Sequence, residues 1–145
     1  MKKRVLFICV HNSARSQMAE ALLNQTCGEL FKATSAGLEP GTLNPLAVEV
    51  LREIGIDITG KETRAVSDVI ASGERFDYVI TVCDDSSAEA CPLFPGGTTR
   101  LHWSLPDPAK FQGSWEERLE QTRSVRDSIQ RRIEEFCGSN CRAVA

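Results

Sequence analysis

The apolar positions of this chain fall into two kinds of pattern. Short, nearly unbroken runs of β-branched and aromatic residues occur at 3–8 (Lys-Arg-Val-Leu-Phe-Ile) and 78–82 (Tyr-Val-Ile-Thr-Val), the mark of buried strands. Weaker strands are expected at 31–35, ended by Gly37, and at 99–103. Between them the period lengthens to that of a helix. Met18 and Leu22, with Ala19 and Ala21, define one over 16–25. Asn44-Pro45 puts a capping side chain before a proline at the first helical position; Leu46, Val50 and Ile54 follow, and Gly55 supplies a stop. Ser67 is expected to cap a short helix ending near Gly73.

The last helix opens on Ser114 and Glu117, the capping-box spacing, in which each residue satisfies the other's backbone N–H. Trp115, Leu119, Thr122, Val125, Ile129, Ile133 and Phe136 trace its inward face, and Gly138 should end it. That predicts a single α/β domain over 1–138 and a flexible tail over 139–145. Strands alternating with helices imply a parallel sheet covered on both faces. Ligands of such sheets bind beyond the carboxyl ends of the strands. Cys9, Cys83 and Asp107 all fall just past predicted strands, where one cleft can hold them.

Composition narrows the class. With 145 residues, 41% hydrophobic and 26% charged, one core is expected. A net charge of −3 with no basic run argues against nucleic acid or an anionic membrane as partner. The longest apolar stretch, 5–10, is too short to span a bilayer and lacks the features of a signal peptide, so a cytoplasmic protein is expected. Without an obvious exposed apolar helix face, monomer is the default. Six cysteines in a reducing compartment point to catalysis or metal rather than to disulfides. No Cys-x-x-Cys pair occurs and there are two histidines, His11 and His102, so no metal site is expected.

The segment Cys9-Val10-His11-Asn12-Ser13-Ala14-Arg15-Ser16 joins a strand to a helix. Backbone N–H groups of such a turn, with the helix dipole, form an anion site covering Val10 to Ser16. Arg15 can grip two oxygens of a tetrahedral oxyanion through its planar fork, leaving the central atom facing Cys9 sulfur. The same donors favour the thiolate, the form that attacks. Ser16 is placed to donate to it, and Asn12 tolerates left-handed backbone. His11 lines the loop.

These residues resemble the loop of low-molecular-weight protein tyrosine phosphatases and of the arsenate reductases that share their fold. The likeness extends to Ser35-Ala36-Gly37, Thr81-Val82-Cys83 and Asp107-Pro108. It implies a four-stranded parallel sheet flanked by helices, of the flavodoxin-like phosphatase type, with Asp107 as the acid that protonates the departing oxygen. Prolines on both sides of Asp107 stiffen its loop. Phosphatases of this fold carry aromatic residues after the Asp-Pro; here Ala109-Lys110-Phe111-Gln112 follow. Cys83 and Cys91 are separated by seven polar or small residues and followed by Pro92, which resembles thioredoxin-coupled arsenate reductases.

The resemblance implies arsenate reduction: a Cys9 adduct, then a Cys9–Cys83–Cys91 disulfide relay discharged by thioredoxin or a glutaredoxin-like reductant, with no tightly bound cofactor. The alternative is a phosphatase that hydrolyses phosphomonoesters through a Cys9 phosphocysteine. A third reading is a redox-sensing or arsenical-binding protein without turnover. Relatives often hold potassium with residues matching Asn12, Glu20, Ser35 and Thr63, but an acidic ligand two positions after Thr63 is Ala65 here. Cys27 reads as a packing residue. Cys137 and Cys141 read as idle tail thiols, with a disulfide between them or a part in reductant exchange as the alternatives.

Overall fold

A computed structural model describes residues 2–83 and 98–144, with side chains described as far as Gly138. Four strands, β1 (Lys3–Cys9), β2 (Phe31–Gly37), β3 (Tyr78–Thr81) and β4 (Thr99–His102), form an all-parallel sheet in the order β2-β1-β3-β4. The helices are α1 (Arg15–Cys27), α2 (Pro45–Arg52), α3 (Val66–Ala71) and α4 (Trp115–Val144). The predicted fold class is the observed one.

β1 is central because it is apolar on both faces. Val5, Phe7 and Cys9 belong to the larger core cluster with α1, α2 and α4; Leu6 and Ile8 belong to the smaller one with α3. The order reverses at β1, with β2 to one side and β3 to the other. The carboxyl ends of β1 and β3 therefore flank the crevice where such sheets bind ligands. Ile8 pairs with Thr81, and Val82 N–H donates to Ile8 carbonyl at 2.8 Å, so Cys9 and Cys83 end neighbouring strands.

The helices match their sequence signals with four corrections. Leu51, not Ile54, completes the inward face of α2, and Ile54 is 43% exposed beyond the helix end. Ser67 does not cap α3; the cap position is Ala65, whose extended backbone bridges Gly37, so the helix begins at once after it. Trp115 opens α4 but lies 41% exposed, because the first turn overhangs the core, whereas Leu119 to Phe136 are buried as expected. Finally, α4 continues through Gly138 to Val144. A single helix glycine costs about 1 kcal/mol relative to alanine, too little by itself to end a helix of 30 residues.

The capping box is present: Glu117 N–H donates to Ser114 Oγ at 3.1 Å, and Ser114 N–H reaches Glu117 Oε1 at 3.5 Å. Asn44 accepts from Leu46 N–H at 2.9 Å, as its position before proline predicted. Phe136 anchors α4 to the sheet, with ring centroids 4.9 Å from Phe31 and 5.0 Å from Tyr78. Cys27 and Cys137 are joined by a disulfide, with Cα atoms 6.4 Å apart. This corrects the reading of Cys27 as a packing residue and of Cys137 as a tail thiol: α1 ends where α4 passes.

Candidate active site

The loop from Val10 to Ala14 is shaped by a strap after β2. Carbonyl oxygens of Cys9, Val10, His11 and Ser13 accept from the N–H groups of Leu38, Glu39, Gly41 and Asn44 at 2.7–3.1 Å. A trans peptide points its N–H opposite its carbonyl. Turning these carbonyls outward therefore turns the N–H groups of Val10, His11, Asn12 and Ala14 inward, toward the cradle. Gly37 makes the approach feasible: a Cβ there would lie 2.7 Å from Asn12 nitrogen and 2.8 Å from His11 carbonyl carbon. The loop runs into α1, whose cap residue Ala14 brings no side-chain acceptor and whose first turn holds no acid. Positive helix-end potential is left for an anion.

At the base of the cradle, Cys9 is 2% exposed. Its sulfur accepts from Asn12 N–H at 3.2 Å and lies 2.9 Å from Ser16 Oγ. Asn12 adopts φ 55° and is fully buried. Its Nδ2 donates to Ser16 Oγ at 2.8 Å, while its Oδ1 accepts from Arg64 N–H at 2.9 Å and Gln17 Nε2 at 3.3 Å. With Asn12 donating to the Ser16 oxygen, the hydroxyl proton stays available to the adjacent Cys9 sulfur. His11 is exposed and bonds the Glu39 carbonyl through Nδ1 at 2.9 Å, which fits its loop-lining reading.

Arg15 is 3% exposed. It donates through NH1 to Leu105 carbonyl at 3.1 Å, and NH2 is 3.5 Å from Asp107 Oδ2. Asp107 caps the 3-10 turn Pro108–Lys110 by accepting from Ala109 N–H at 3.0 Å. The loop arginine and the acid from the far side of β4 thus meet, as the strand-end argument expected. Cys83 is 2% exposed in the same core cluster as Cys9. Cys91 lies outside the described residues. Phe111 packs partly buried against that cluster.

Arg64, Glu74 and Lys61 carried no sequence signal. Arg64 acts through its backbone, and its side chain is held by Glu74 at 2.6 Å. Glu74 is held well below the usual carboxylate range, at about 2, first by the Arg64 hydrogen bond, against burial, and then by Ser72 and Arg4. Glu20, 5% exposed, accepts from Ser35 Oγ at 3.0 Å and is ion-paired with Lys61. Thr63 Oγ1 donates to Gly41 carbonyl at 2.7 Å. Lys61 was invisible as a partner because 41 positions separate it from Glu20.

A parallel sheet with a buried strand-end cysteine, an inward-turned amide loop and a buried arginine defines an oxyanion-binding thiol enzyme. The chain belongs to the low-molecular-weight phosphotyrosine protein phosphatase family, whose model matches residues 4–144. It is 43% identical over 136 residues to the arsenate reductase of Bacillus subtilis, covering 92% of this chain and 94% of that protein. Among solved structures it resembles an arsenate reductase from Archaeoglobus fulgidus (32% identity, TM-score 0.74, covering 92% of this chain and 98% of that one). A thioredoxin-dependent arsenate reductase from Corynebacterium glutamicum is also similar, at 32% identity and a TM-score of 0.70, covering 95% of this chain and 60% of that one. Among the described residues no helix is long and apolar enough to cross a membrane.

Proposed function

We propose that this protein is an arsenate reductase that passes oxidising equivalents from arsenic to an external dithiol. The observation that carries this reading is the placement of Cys83. It lies two residues past β3 and is buried in the same cluster as Cys9, at the end of the adjoining strand. Ester hydrolysis has no use for a second thiol there. Relatives of known name, covered over nearly their full length, support the same substrate.

Arsenate enters the cradle of inward N–H groups, and Arg15 takes two of its oxygens. Cys9 thiolate attacks arsenic, and the departing oxygen takes a proton from Asp107. Cys83 thiolate then attacks Cys9 sulfur. The sulfur–arsenic bond breaks, its electron pair stays on arsenic, and arsenite leaves while Cys9–Cys83 forms. Cys91 thiolate displaces Cys9 from Cys83, which regenerates the nucleophile and leaves Cys83–Cys91. Two electrons have moved from the Cys83 and Cys91 thiols to arsenic. A protein dithiol of the thioredoxin kind, as the Corynebacterium relative uses, restores them by thiol–disulfide exchange. The reaction requires a reducing compartment, the cytoplasm, and a monomer suffices for it.

No resident cation belongs to this proposal. The oxygens that resemblance would assign to potassium are engaged: Asn12 Oδ1 by Arg64 and Gln17, Glu20 by Ser35 and Lys61. The Lys61 ammonium supplies positive charge at the carboxylate, and Ala65 supplies no ligand. A second reading, phosphomonoester hydrolysis, is supported by the Cys9, Arg15 and Asp107 set, which is complete without Cys83.

The deciding assay is arsenate-dependent NADPH oxidation with thioredoxin and thioredoxin reductase. Cys83→Ser and Cys91→Ser should abolish multiple turnover while keeping phosphatase activity. Full multiple turnover in both variants would overturn the relay, and a silent wild type with every dithiol donor would overturn the reductase assignment.

A further inference from the structure

The chemistry at Cys9 leaves Cys27 and Cys137 unused, yet the structure joins them across 110 positions of sequence. Their surroundings differ. Cys137 is 6% exposed, next to the Phe136 ring that packs on Phe31 and Tyr78. Cys27 is half-buried and forms part of the wall of a surface cavity of about 380 Å³ lined by residues 24–30. Thiol exchange requires a thiolate to reach one sulfur while the other leaves. Cys27 borders that cavity while Cys137 is buried, so attack at Cys27 with Cys137 leaving is the more accessible order.

The bond also lies far from the catalytic loop. Arg15 opens α1 and Cys27 closes it, so the helix, 13 residues long, holds them about 20 Å apart. Leu30 N–H bonds the Cys27 carbonyl and Lys3 N–H bonds Leu30, which sets Cys27 beside the amino ends of β1 and β2. Cys9 is at the opposite, carboxyl end of β1.

We propose that Cys27–Cys137 is a second thiol-exchange site, entered at Cys27 by a small thiol or dithiol, that controls the stability of the fold without joining turnover at Cys9. A dithiol's first thiolate bonds to Cys27 sulfur, and Cys137 leaves as a thiolate and takes a proton. The second thiol of the dithiol then displaces Cys27. Two electrons have passed to the pair, and the dithiol departs as a disulfide. Peroxide reverses this: Cys27 thiolate displaces hydroxide to give a sulfenic acid, and Cys137 thiolate closes the bond as the second hydroxide leaves and is protonated to water.

The test uses the full chain carrying Cys83→Ser and Cys91→Ser, so that the relay pair cannot respond. After mild peroxide, non-reducing peptide mapping should find Cys27 linked to Cys137. Reduction should lower the melting temperature by about 5 °C or more, as expected when a long loop is released, and Cys27→Ser on the same background should abolish that shift. Within the pair, reduced protein exposed to glutathione disulfide should take its first adduct at Cys27 rather than at Cys137. In the otherwise wild-type chain, Cys27→Ser and Cys137→Ser should keep arsenate reduction or p-nitrophenyl phosphate hydrolysis within twofold. Absence of the linked peptide, a melting shift that survives in Cys27→Ser, or a first adduct at Cys137 would each overturn the proposal. A loss of turnover beyond twofold in either variant would place the pair in the relay and overturn it as well. The mapping and melting results hold or fail independently of the reductase assignment.

Discussion

Ser16 Oγ sits 2.9 Å from Cys9 Sγ, with both side chains buried and the Ser16 oxygen already accepting from Asn12. The hydroxyl keeps its own proton free and can donate it to Cys9 sulfur when that sulfur reacts as a thiolate. Hydrogen bonds to charged groups contribute about 1.5–3 kcal/mol. Ser16→Ala should slow both iodoacetamide alkylation of Cys9 at pH 7 and catalytic turnover roughly 10–100-fold. An unchanged alkylation rate would show that the amides alone hold the thiolate.

Asp107 meets Arg15 at 3.5 Å while capping its own turn through Ala109. A general acid contributes roughly 10²–10⁴-fold, most where the leaving oxygen is most basic. Asp107→Asn preserves the cap and removes the proton. Phenyl phosphate hydrolysis should then fall by about two orders of magnitude, and p-nitrophenyl phosphate hydrolysis by much less. Equal losses on the two esters would assign Asp107 to positioning Arg15 instead.

Glu74 ties Arg64 and Arg4 together, and its carboxyl is depressed from 4.5 to about 2, chiefly by the Arg64 hydrogen bond. A carboxylate depressed by folding stabilises above its unfolded value and loses that contribution as pH falls through the folded one. The window is therefore pH 4.5 down to about 2. Glu74→Gln should cost about 2 kcal/mol at pH 7 by urea denaturation, and the deficit should vanish as pH approaches 2. A deficit independent of pH would mean that the loss is packing rather than charge.

Lys61 and Glu20 form the ion pair at the place that resemblance gives to potassium. Glu20 is buried whereas the Lys61 side chain is 46% exposed. Removing Lys61 leaves a buried carboxylate without its cation, which costs more than the pair itself contributes. Lys61→Met should lower stability by about 1–3 kcal/mol, since Glu20 is then left charged and unpaired. Exchanging potassium for choline should leave the wild-type melting temperature unchanged. A wild-type rise in potassium alone would show that the cation is used despite Lys61.

Much of the site was legible because it is contiguous. Cys9 through Ser16 form one loop whose anion geometry follows from a strand, a turn and a helix start, and Gly37 stands in a recognisable triplet. Arg64 and Lys61 were not legible because their partners lie far away in sequence, and Gln17 because nothing in the helical period marks it as a partner of Asn12. The disulfide was missed for a related reason. Cys27 and Cys137 are 110 positions apart, and nothing in either helix's periodicity says which turns will touch. Ser67 and Gly138 misled because cap and stop preferences are worth about 1 kcal/mol, less than the Ala65–Gly37 bridge or the continuing helix.

The sequence by itself determined the strands, the main helices, the loop that turns its amides to an anion and the cysteine at its start. Those are local properties, set by period, by turn chemistry and by one short segment. Tertiary structure decided what surrounds that cysteine. It turned the loop amides inward through the strap at 38–44, brought Asp107 to Arg15 from beyond β4, set Cys83 just past the neighbouring strand, and closed Cys27 onto Cys137. Each of these pairings depends on strand order and helix packing, which fix distance in space between residues that sequence leaves far apart.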